Sequence, residues 1–171
     1  MISRSTVQTR RLGAMLARRL KPCDVVALTG EIGAGKTTFV QGIAEGLGVA
    51  AGSVASPSFV LVREYQGRIP LFHADLFRLD RLPEAQRVGL EEYYDGGGVT
   101  VIEWANRVPE ILPEEYLEIR FEMIDPKSRR LNWVPRGPRY EARFPRAGYK
   151  TSRGRAGRSC QPGKAGGGGV S

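Results

Sequence analysis

The sequence has few of the residues that most often carry metal or redox chemistry. It contains one histidine, His73, and two cysteines, Cys23 and Cys160, among 171 residues. The cysteines lack the close spacing of a zinc-binding pair. A lone histidine in an apolar stretch is more typical of a strand residue with a satisfied hydrogen bond than of a general base. The sequence therefore does not indicate a metal site built from cysteine and histidine.

Long apolar segments are also missing. No run of residues is long enough to span a bilayer as a helix, and the first residues do not have the form of a signal peptide. We therefore expect a cytoplasmic protein in a reducing compartment, with no membrane partner. A length of 171 residues favours one domain with a sizeable core.

Acidic residues are scarce in the last part of the chain. Residues 1–125 carry 14 basic and 17 acidic residues, a net charge of −3, whereas residues 126–171 carry 12 basic residues and one acidic residue, a net charge of +11. The overall charge of +8 therefore does not indicate a basic face for nucleic acid on the main body. We predict a folded domain over residues 1–144 and a disordered, basic, Gly/Arg-rich tail over residues 145–171.

What the sequence does contain is a glycine-rich stretch from Gly30 to Thr37, which reads Gly-Glu-Ile-Gly-Ala-Gly-Lys-Thr. It fits G-x-x-x-x-G-K-[ST], the pattern of a phosphate-binding P-loop. Glycines let the backbone approach a polyphosphate closely, and a following helix adds unpaired N–H groups and the positive end of its dipole. In such loops the lysine, here Lys36, contacts the β- and γ-phosphates, and the hydroxyl, here of Thr37, binds Mg²⁺. A glycine-rich turn without a ligand is the alternative.

The neighbouring segments support the P-loop interpretation. A short apolar run at residues 25–28 predicts a buried strand before the loop, and the spacing of apolar residues at 38–47 predicts a helix after it. The predicted nucleotide-binding residues are those of the loop and of the first turn of the helix: Glu31, Ile32, Gly33, Ala34, Gly35, Lys36, Thr37 and Thr38.

The rest of the chain predicts an α/β fold, a P-loop NTPase-like three-layer sandwich whose mixed sheet has parallel central strands and flanking antiparallel strands. We predict a first helix over 6–20, capped by Ser5 or Thr6, with Leu12, Met15, Leu16 and Leu20 buried. The further predicted helix covers residues 82–94. The further predicted strands cover residues 59–65, 69–76, 99–102, 117–123, 130–134 and 139–144, the first two forming a hairpin.

Two acidic residues stand at the ends of predicted strands. Asp75 ends the second strand of the hairpin, where P-loop proteins place the carboxylate on the Mg²⁺ side. Glu103 ends the strand 99–102 and should reach the same pocket, because ligands bind outside the carboxyl ends of the strands in open α/β sheets. We predict Lys36, Asp75 and Glu103 as catalytic residues and Thr37, Asp75 and Glu103 as Mg²⁺ ligands. The alternatives are a capping carboxylate at Asp75 and a carboxylate paired with Arg107 at Glu103.

These pieces together resemble the TsaE family, formerly called YjeE. The resemblance covers about residues 6–144 and rests on several motifs in the family's order. They are Gly30 to Phe39, Ser56-Pro57-Ser58-Phe59, His73-Ala74-Asp75-Leu76-Phe77-Arg78-Leu79, Gly89-Leu90-Glu91-Glu92-Tyr93 and Val101-Ile102-Glu103-Trp104. Ser58 and Phe77 depart from the threonine and tyrosine that are more common in the family.

The resemblance implies a Mg²⁺-dependent ATPase of tRNA threonylcarbamoyladenosine biosynthesis. It implies that Glu103 supports Mg²⁺ and hydrolysis, and that Trp104 lies beside the nucleotide. It also implies a TsaB–TsaD heterodimer as the partner, in which TsaD transfers the threonylcarbamoyl group to tRNA. The ATPase would reset or drive that complex, and would meet tRNA only through it.

Two other functions remain open from the residues alone. A small-molecule kinase would share the P-loop, although no lid-length insertion lies between Gly48 and Val101. An RNA-binding protein would act through its basic C-terminal part, although Tyr149 is the only aromatic residue in the tail from Pro145 onward to stack on bases. The chain has no Asn-Lys-x-Asp or Thr-Lys-x-Asp segment for reading guanine, which favours ATP over GTP.

An arginine finger is not evident, and Arg63, Arg78 and Arg107 are the candidates.

Overall fold

The computed structural model describes residues 1–50, 52–55, 57 and 61–145. Seven strands form one sheet in the spatial order β1-β7-β6-β2-β5-β4-β3. The strands are β1 (Ile2–Ser3), β2 (Val25–Gly30), β3 (Val62–Tyr65), β4 (Leu71–Asp75), β5 (Val99–Glu103), β6 (Tyr116–Met123) and β7 (Arg129–Arg136). Strands β6, β2, β5 and β4 are mutually parallel, whereas β3 and β7 run antiparallel to their neighbours. The predicted mixed sheet and its hairpin are confirmed.

Helices cover both faces of this sheet. They are α1 (Thr6–Ala17), α2 (Lys36–Gly46), α3 (Leu82–Arg87), α4 (Leu90–Tyr94) and α5 (Pro138–Arg143), with a short 3₁₀ helix at Pro109–Ile111. Along β2, Val26 and Leu28 belong to one core cluster, together with residues of α1, α2 and α5. Val25 and Ala27 belong to a second cluster, together with residues of α3, α4 and the 3₁₀ helix. Since successive strand residues point to opposite faces, the fold has three layers.

The helix that follows the P-loop is held by close packing against α1. A Cβ atom at Gly42 of α2 would lie 1.9 Å from the Arg10 carbonyl oxygen, and one at Gly13 of α1 would lie 2.2 Å from the Phe39 carbonyl oxygen. Glycine is therefore required at both positions. The first helix ends at Ala17, whereas the prediction placed its end near residue 20. The buried residues of this helix are Thr9, Gly13, Leu16 and Ala17, and Met15, predicted to be buried, is 55% exposed.

The predicted helix over residues 82–94 is two helices. Helix α3 ends at Arg87 and α4 begins at Leu90. Gly89 between them has φ +70°, in the left-handed region, which cannot continue an α-helix.

The prediction of two strands around a turn near residues 135–138 is also wrong in part. Strand β7 continues through Pro135 and Arg136, and residues 138–143 form helix α5. Pro138 stands in the first turn of α5, where its missing N–H has no helical partner to lose. Strand β1 pairs only with the first two residues of β7. Within the described residues β7 therefore has a single neighbouring strand at Pro135, so a proline, which has no backbone N–H to donate, is tolerated there.

Tyr140 of α5 connects this helix to the strand that leads into the P-loop. Its side chain is fully buried, and its hydroxyl oxygen accepts the backbone N–H of Val25 at 2.7 Å. We expect Tyr140→Phe to lower the free energy of unfolding by about 1–3 kcal/mol, because a buried N–H loses its acceptor. Chemical denaturation would measure the change. Tyr93→Phe, which removes an exposed hydrogen bond to Glu64, is the control, and an equal effect of both would contradict the expectation.

Two predictions fall partly outside the described residues. The tail begins at residue 145, and residues 146–171 lie outside, so its predicted character remains a prediction. The same applies to positions 59 and 60 of the first hairpin strand. None of the helices among the described residues is both long enough and apolar enough to cross a membrane.

Candidate nucleotide-binding site

The backbone of the glycine-rich loop has the conformation that its glycines permit. Gly30 ends β2 at φ +136°, Gly33 has φ +78°, and Gly35 has φ +96° just before α2 begins at Lys36. A Cβ atom at Gly30 would also lie 2.5 Å from the Phe121 carbonyl oxygen on β6. Strand, loop and helix therefore follow one another as the sequence predicts. The N-terminus of an eleven-residue helix faces the loop.

The two predicted carboxylates are brought together by strand pairing. Asp75 and Glu103 are register partners at the carboxyl ends of the parallel strands β4 and β5. Glu103 is also the register partner of Leu28 on β2, just before the loop. Both side chains are buried. An Asp75 carboxylate oxygen accepts the backbone N–H of Phe77 at 2.9 Å, which fixes the turn after β4.

Each oxygen of the Glu103 carboxylate accepts a hydrogen bond. The Thr37 hydroxyl donates to Oε2 at 3.0 Å, and Nε2 of His73 lies 2.9 Å from Oε1. A carboxylate can only accept, so Nε2 carries the proton in this contact. Arg107, the alternative partner of Glu103, pairs instead with Asp80. Glu103 is thus held directly against the P-loop threonine.

His73 is a residue whose role the sequence did not reveal. It is fully buried on β4, two residues before Asp75 and therefore on the same face of the strand. The sequence favoured a strand histidine with a satisfied hydrogen bond, and the structure places one of its nitrogens on Glu103. The spacing His-x-Asp was the available signal, but it did not identify the partner.

The Lys36 ammonium group is folded back into the loop. Its Nζ donates to the carbonyl oxygens of Gly30 at 2.7 Å and Glu31 at 2.8 Å, and it lies 3.6 Å from the centre of the Trp104 ring. Burial lowers the pKa of Lys36 from its usual value, while the carboxylates of Glu103 and Asp75 oppose that shift. Cation–π and carbonyl contacts of this kind stabilise the ammonium group within the loop.

Trp104, at the edge of the site, has a strained backbone conformation. Its φ of +59° lies in the left-handed region, which is uncommon for a bulky residue. Its ring packs against Phe77, with 4.9 Å between the ring centres. The strand end therefore turns sharply after Glu103 and places the indole over Lys36.

A cavity of about 400 Å³ opens between these groups. It is lined by Ile32, Gly33, Gly35, Lys36, Thr37, Thr38, Asp75, Phe77, Glu103 and Trp104. Nearly all the predicted site residues are among them. Phe77 also lines the cavity, although the sequence did not predict it as a site residue. Glu31 and Ala34 do not line the cavity, and the Ala34 N–H is directed to the Glu31 carbonyl oxygen at 3.3 Å.

The donor groups of the cavity suit a magnesium ion that arrives with a polyphosphate. Thr37, Asp75 and Glu103 supply a hydroxyl and two carboxylates, which are hard oxygen ligands. Among the described residues no group of three or more histidine, cysteine, aspartate or glutamate side chains is placed to hold a metal ion. Magnesium commonly takes only one or two protein carboxylates and completes its shell with water and substrate phosphates. The residues present therefore fit that mode of binding.

No candidate arginine finger lines this cavity in the described part of the chain. Arg107 pairs with Asp80 on the surface, and Arg63 is exposed on the edge strand β3. Arg78, in the turn after β4, is likewise not among the lining residues. The described residues thus offer Lys36 as the cation that lines the cavity.

Comparison with known proteins adds an independent finding. Residues 3–131 match the sequence model of a family described as "Threonylcarbamoyl adenosine biosynthesis protein TsaE". The chain is 41% identical over 135 residues to the tRNA threonylcarbamoyladenosine biosynthesis protein TsaE of Bacillus subtilis, covering 78% of this chain and 84% of that protein. It is 40% identical over 130 residues to the protein of the same name from Treponema pallidum, covering 76% and 96%.

A solved structure is similar as well. The crystal structure of Bacillus subtilis YdiB superimposes with a TM-score of 0.70 at 35% sequence identity, covering 84% of this chain and 88% of that one. The similarity therefore extends over most of the chain in both sequence and fold.

Proposed function

The chain belongs to the TsaE family, and from this membership and the geometry of its site we propose that it binds and hydrolyses ATP with Mg²⁺ in tRNA threonylcarbamoyladenosine biosynthesis. The observation that carries the proposal is the contact between Thr37 and Glu103. The threonine of a P-loop binds Mg²⁺ in nucleotide hydrolases, and here its hydroxyl touches a buried carboxylate at the carboxyl end of the neighbouring strand.

The chemistry required of this site is mainly positioning and charge neutralisation. The loop's backbone N–H groups and the N-terminus of α2 would hold the phosphates, and Lys36 would leave its two carbonyl partners to contact them. Thr37 and Asp75 would hold Mg²⁺, which neutralises phosphate charge when bound. Glu103 would complete that shell or orient the attacking water. Trp104 and Phe77 would exclude solvent from one side.

His73 supports the orientation of Glu103 in this proposal. Its Nε2–H occupies Oε1 and leaves Oε2 on the Thr37 side. The Glu103 carboxylate therefore presents one defined oxygen, Oε2, to Thr37 and to the proposed Mg²⁺ site. We assign His73 as a positioning residue and not as the general base.

The proposed partner is the TsaB–TsaD heterodimer, with tRNA reached only through that complex. The family resemblance supplies this part of the proposal. A partner that completes the site is consistent with a described cavity lined by one lysine and no candidate arginine. We expect turnover of the free protein to be slow for that reason, since an arginine finger contributes roughly 10³–10⁵ in rate in related enzymes.

The experiment that tests the function is ADP release by the purified full chain with Mg²⁺ and ATP, alone and with the TsaB–TsaD heterodimer. Slow release that rises with the heterodimer supports the proposal. No ADP release under either condition contradicts it. Release that depends on a metabolite which itself gains the phosphate would identify a small-molecule kinase instead.

The binding step has a separate test in Lys36→Met. We expect this change to weaken ATP and ADP binding by roughly 10- to 100-fold, because a charge-assisted contact to phosphate is lost. Titration calorimetry would measure it. Lys127→Met, at an exposed lysine of the turn between β6 and β7, is the matched control and should bind as the wild type does. Equal affinity of Lys36→Met and wild type would remove Lys36 from the binding site.

A further inference from the structure

A second cation lies against the P-loop from the side of strand β7. Arg129 is the first residue of β7, paired with Met123 at the carboxyl end of β6 and with Ser3 of β1. Its side chain is only 6% exposed, and its Nε atom has no hydrogen-bond partner among the described residues. A buried guanidinium nitrogen that donates to no acceptor is unfavourable.

The guanidinium group is directed at the start of helix α2. A Cβ atom at Gly35, the N-cap residue of α2, would lie 3.2 Å from Nη1 of Arg129 and 3.6 Å from its Cδ. The same position would lie 3.6 Å from Cγ2 of Thr9 on α1. Arg129 therefore reaches the loop beside a residue that lines the cavity, at a point where a Cβ atom would make an unusually close contact with it.

Arg129 lies beside positive groups of the loop. The N-terminus of α2 carries a partial positive charge, and the ammonium group of Lys36 lies within the same loop. Arg129 is one of the groups that lower the pKa of Asp125, in the turn before β7. Hydrogen bonds from the Lys127 backbone N–H and from the side chain and backbone of Ser128 lower the pKa of Asp125, and Arg129 adds a smaller effect. Asp125 is exposed, so water screens it.

We propose that Arg129 is a second counter-charge for the polyphosphate, acting from the β7 side of the P-loop. This inference rests on the proposed function and deepens it. An anion in the loop would lie beside three positive groups, those of the helix terminus, Lys36 and Arg129. Arg129 is thus a binding residue that acts together with Lys36 and the N-terminus of α2.

The test compares Arg129→Met with wild type in the full-length protein. Titration calorimetry at two salt concentrations would measure the binding of two probes, ADP with Mg²⁺ and inorganic pyrophosphate with Mg²⁺. We expect affinity for both probes to fall about tenfold or more and to depend less on salt. Arg129→Lys, which keeps the charge without the guanidinium fork, should retain part of the affinity. Arg130→Met, at the neighbouring exposed arginine that pairs with Glu122, is the control and should bind normally.

Stability of the free protein separates binding from a structural role. Because Arg129→Met removes a buried Nε–H group that lacks an acceptor in the described part of the chain, the urea midpoint of the ligand-free variant should equal or exceed that of wild type. Unchanged affinity for both probes would overturn the inference, as would a loss of affinity accompanied by a lower midpoint of the free protein. A wild-type protein that binds neither probe would overturn the proposed function itself, which is a different result.

Discussion

Replacing Glu103 with glutamine should lower the rate of ATP hydrolysis by roughly 10²–10⁴ while leaving nucleotide affinity close to that of wild type. The change removes a negative charge that the Mg²⁺ shell or the attacking water needs during the reaction. Binding is preserved because the phosphates are held by the loop, Lys36 and the start of α2. The measurement is ADP release under saturating ATP, with the dissociation constant of ADP determined separately.

Glutamine is a suitable replacement because the fold should accept it. Both oxygens of Glu103 now accept, one from Thr37 and one from His73. The amide oxygen of glutamine can keep the contact to His73, and the Thr37 hydroxyl can rotate to accept from the amide nitrogen. Glu110→Gln, at an exposed glutamate of the 3₁₀ helix, is the matched control. Turnover by Glu103→Gln equal to that of wild type would exclude Glu103 from the mechanism.

The largest loss of stability should come from Asp24→Ala. Asp24 is fully buried just before β2, and its carboxylate accepts from Arg139 at 2.5 Å, from Arg143 at 2.7 Å and 2.8 Å, and from the Lys21 backbone N–H at 2.8 Å. Breaking a buried ion pair by removing one partner costs about 3–5 kcal/mol. Both arginines are partly exposed and regain water, so we expect a loss near the lower end, about 3 kcal/mol.

Chemical denaturation of wild type and Asp24→Ala would measure this loss. The control is Glu122→Ala, which breaks the exposed pair with Arg130 and should change the free energy of unfolding by about 0–1 kcal/mol. Asp24→Asn keeps an acceptor for the Lys21 N–H and should fall between the two. A loss below about 1 kcal/mol for Asp24→Ala would show that α5 is not held by this carboxylate.

Asp24 and Tyr140 have a common consequence for the site. Asp24 binds α5 through Arg139 and Arg143, and Tyr140 of α5 binds the Val25 N–H. Both contacts fix the beginning of β2, and β2 ends in the P-loop. A loss of either should therefore affect nucleotide affinity only as far as it loosens the strand.

The parts of the site whose residues are contiguous could be predicted from the sequence. The P-loop from Gly30 to Thr37 needs a strand before it and a helix after it, and both were readable from local apolar spacing. Asp75 and Glu103 were predictable as neighbours, because the carboxyl ends of parallel strands meet at one edge of a sheet. Whether these residues act as proposed remains a prediction.

Other features depended on contacts between distant segments. The segment 139–144 looked like a strand because it is short and carries apolar residues at nearly alternate positions. It is a helix because Gly137 and Pro138 start one, and Tyr140 reaches Val25, 115 positions away. Similarly, Met15 was predicted to be buried, but the close approach of α1 and α2 at glycine turned the helix face.

The contacts of His73 and Arg129 were decided only by the tertiary structure. The sequence places His73 on the same face as Asp75, but its contact with Glu103 depends on the register between β4 and β5. Arg129 reaches Gly35 because β7 lies beside β6 and begins at the end of the sheet where the central parallel strands finish. Local sequence specifies backbone conformation and the direction of a side chain along its own element. Which groups then meet is decided by strand register and helix packing, since these bring together residues far apart in the chain.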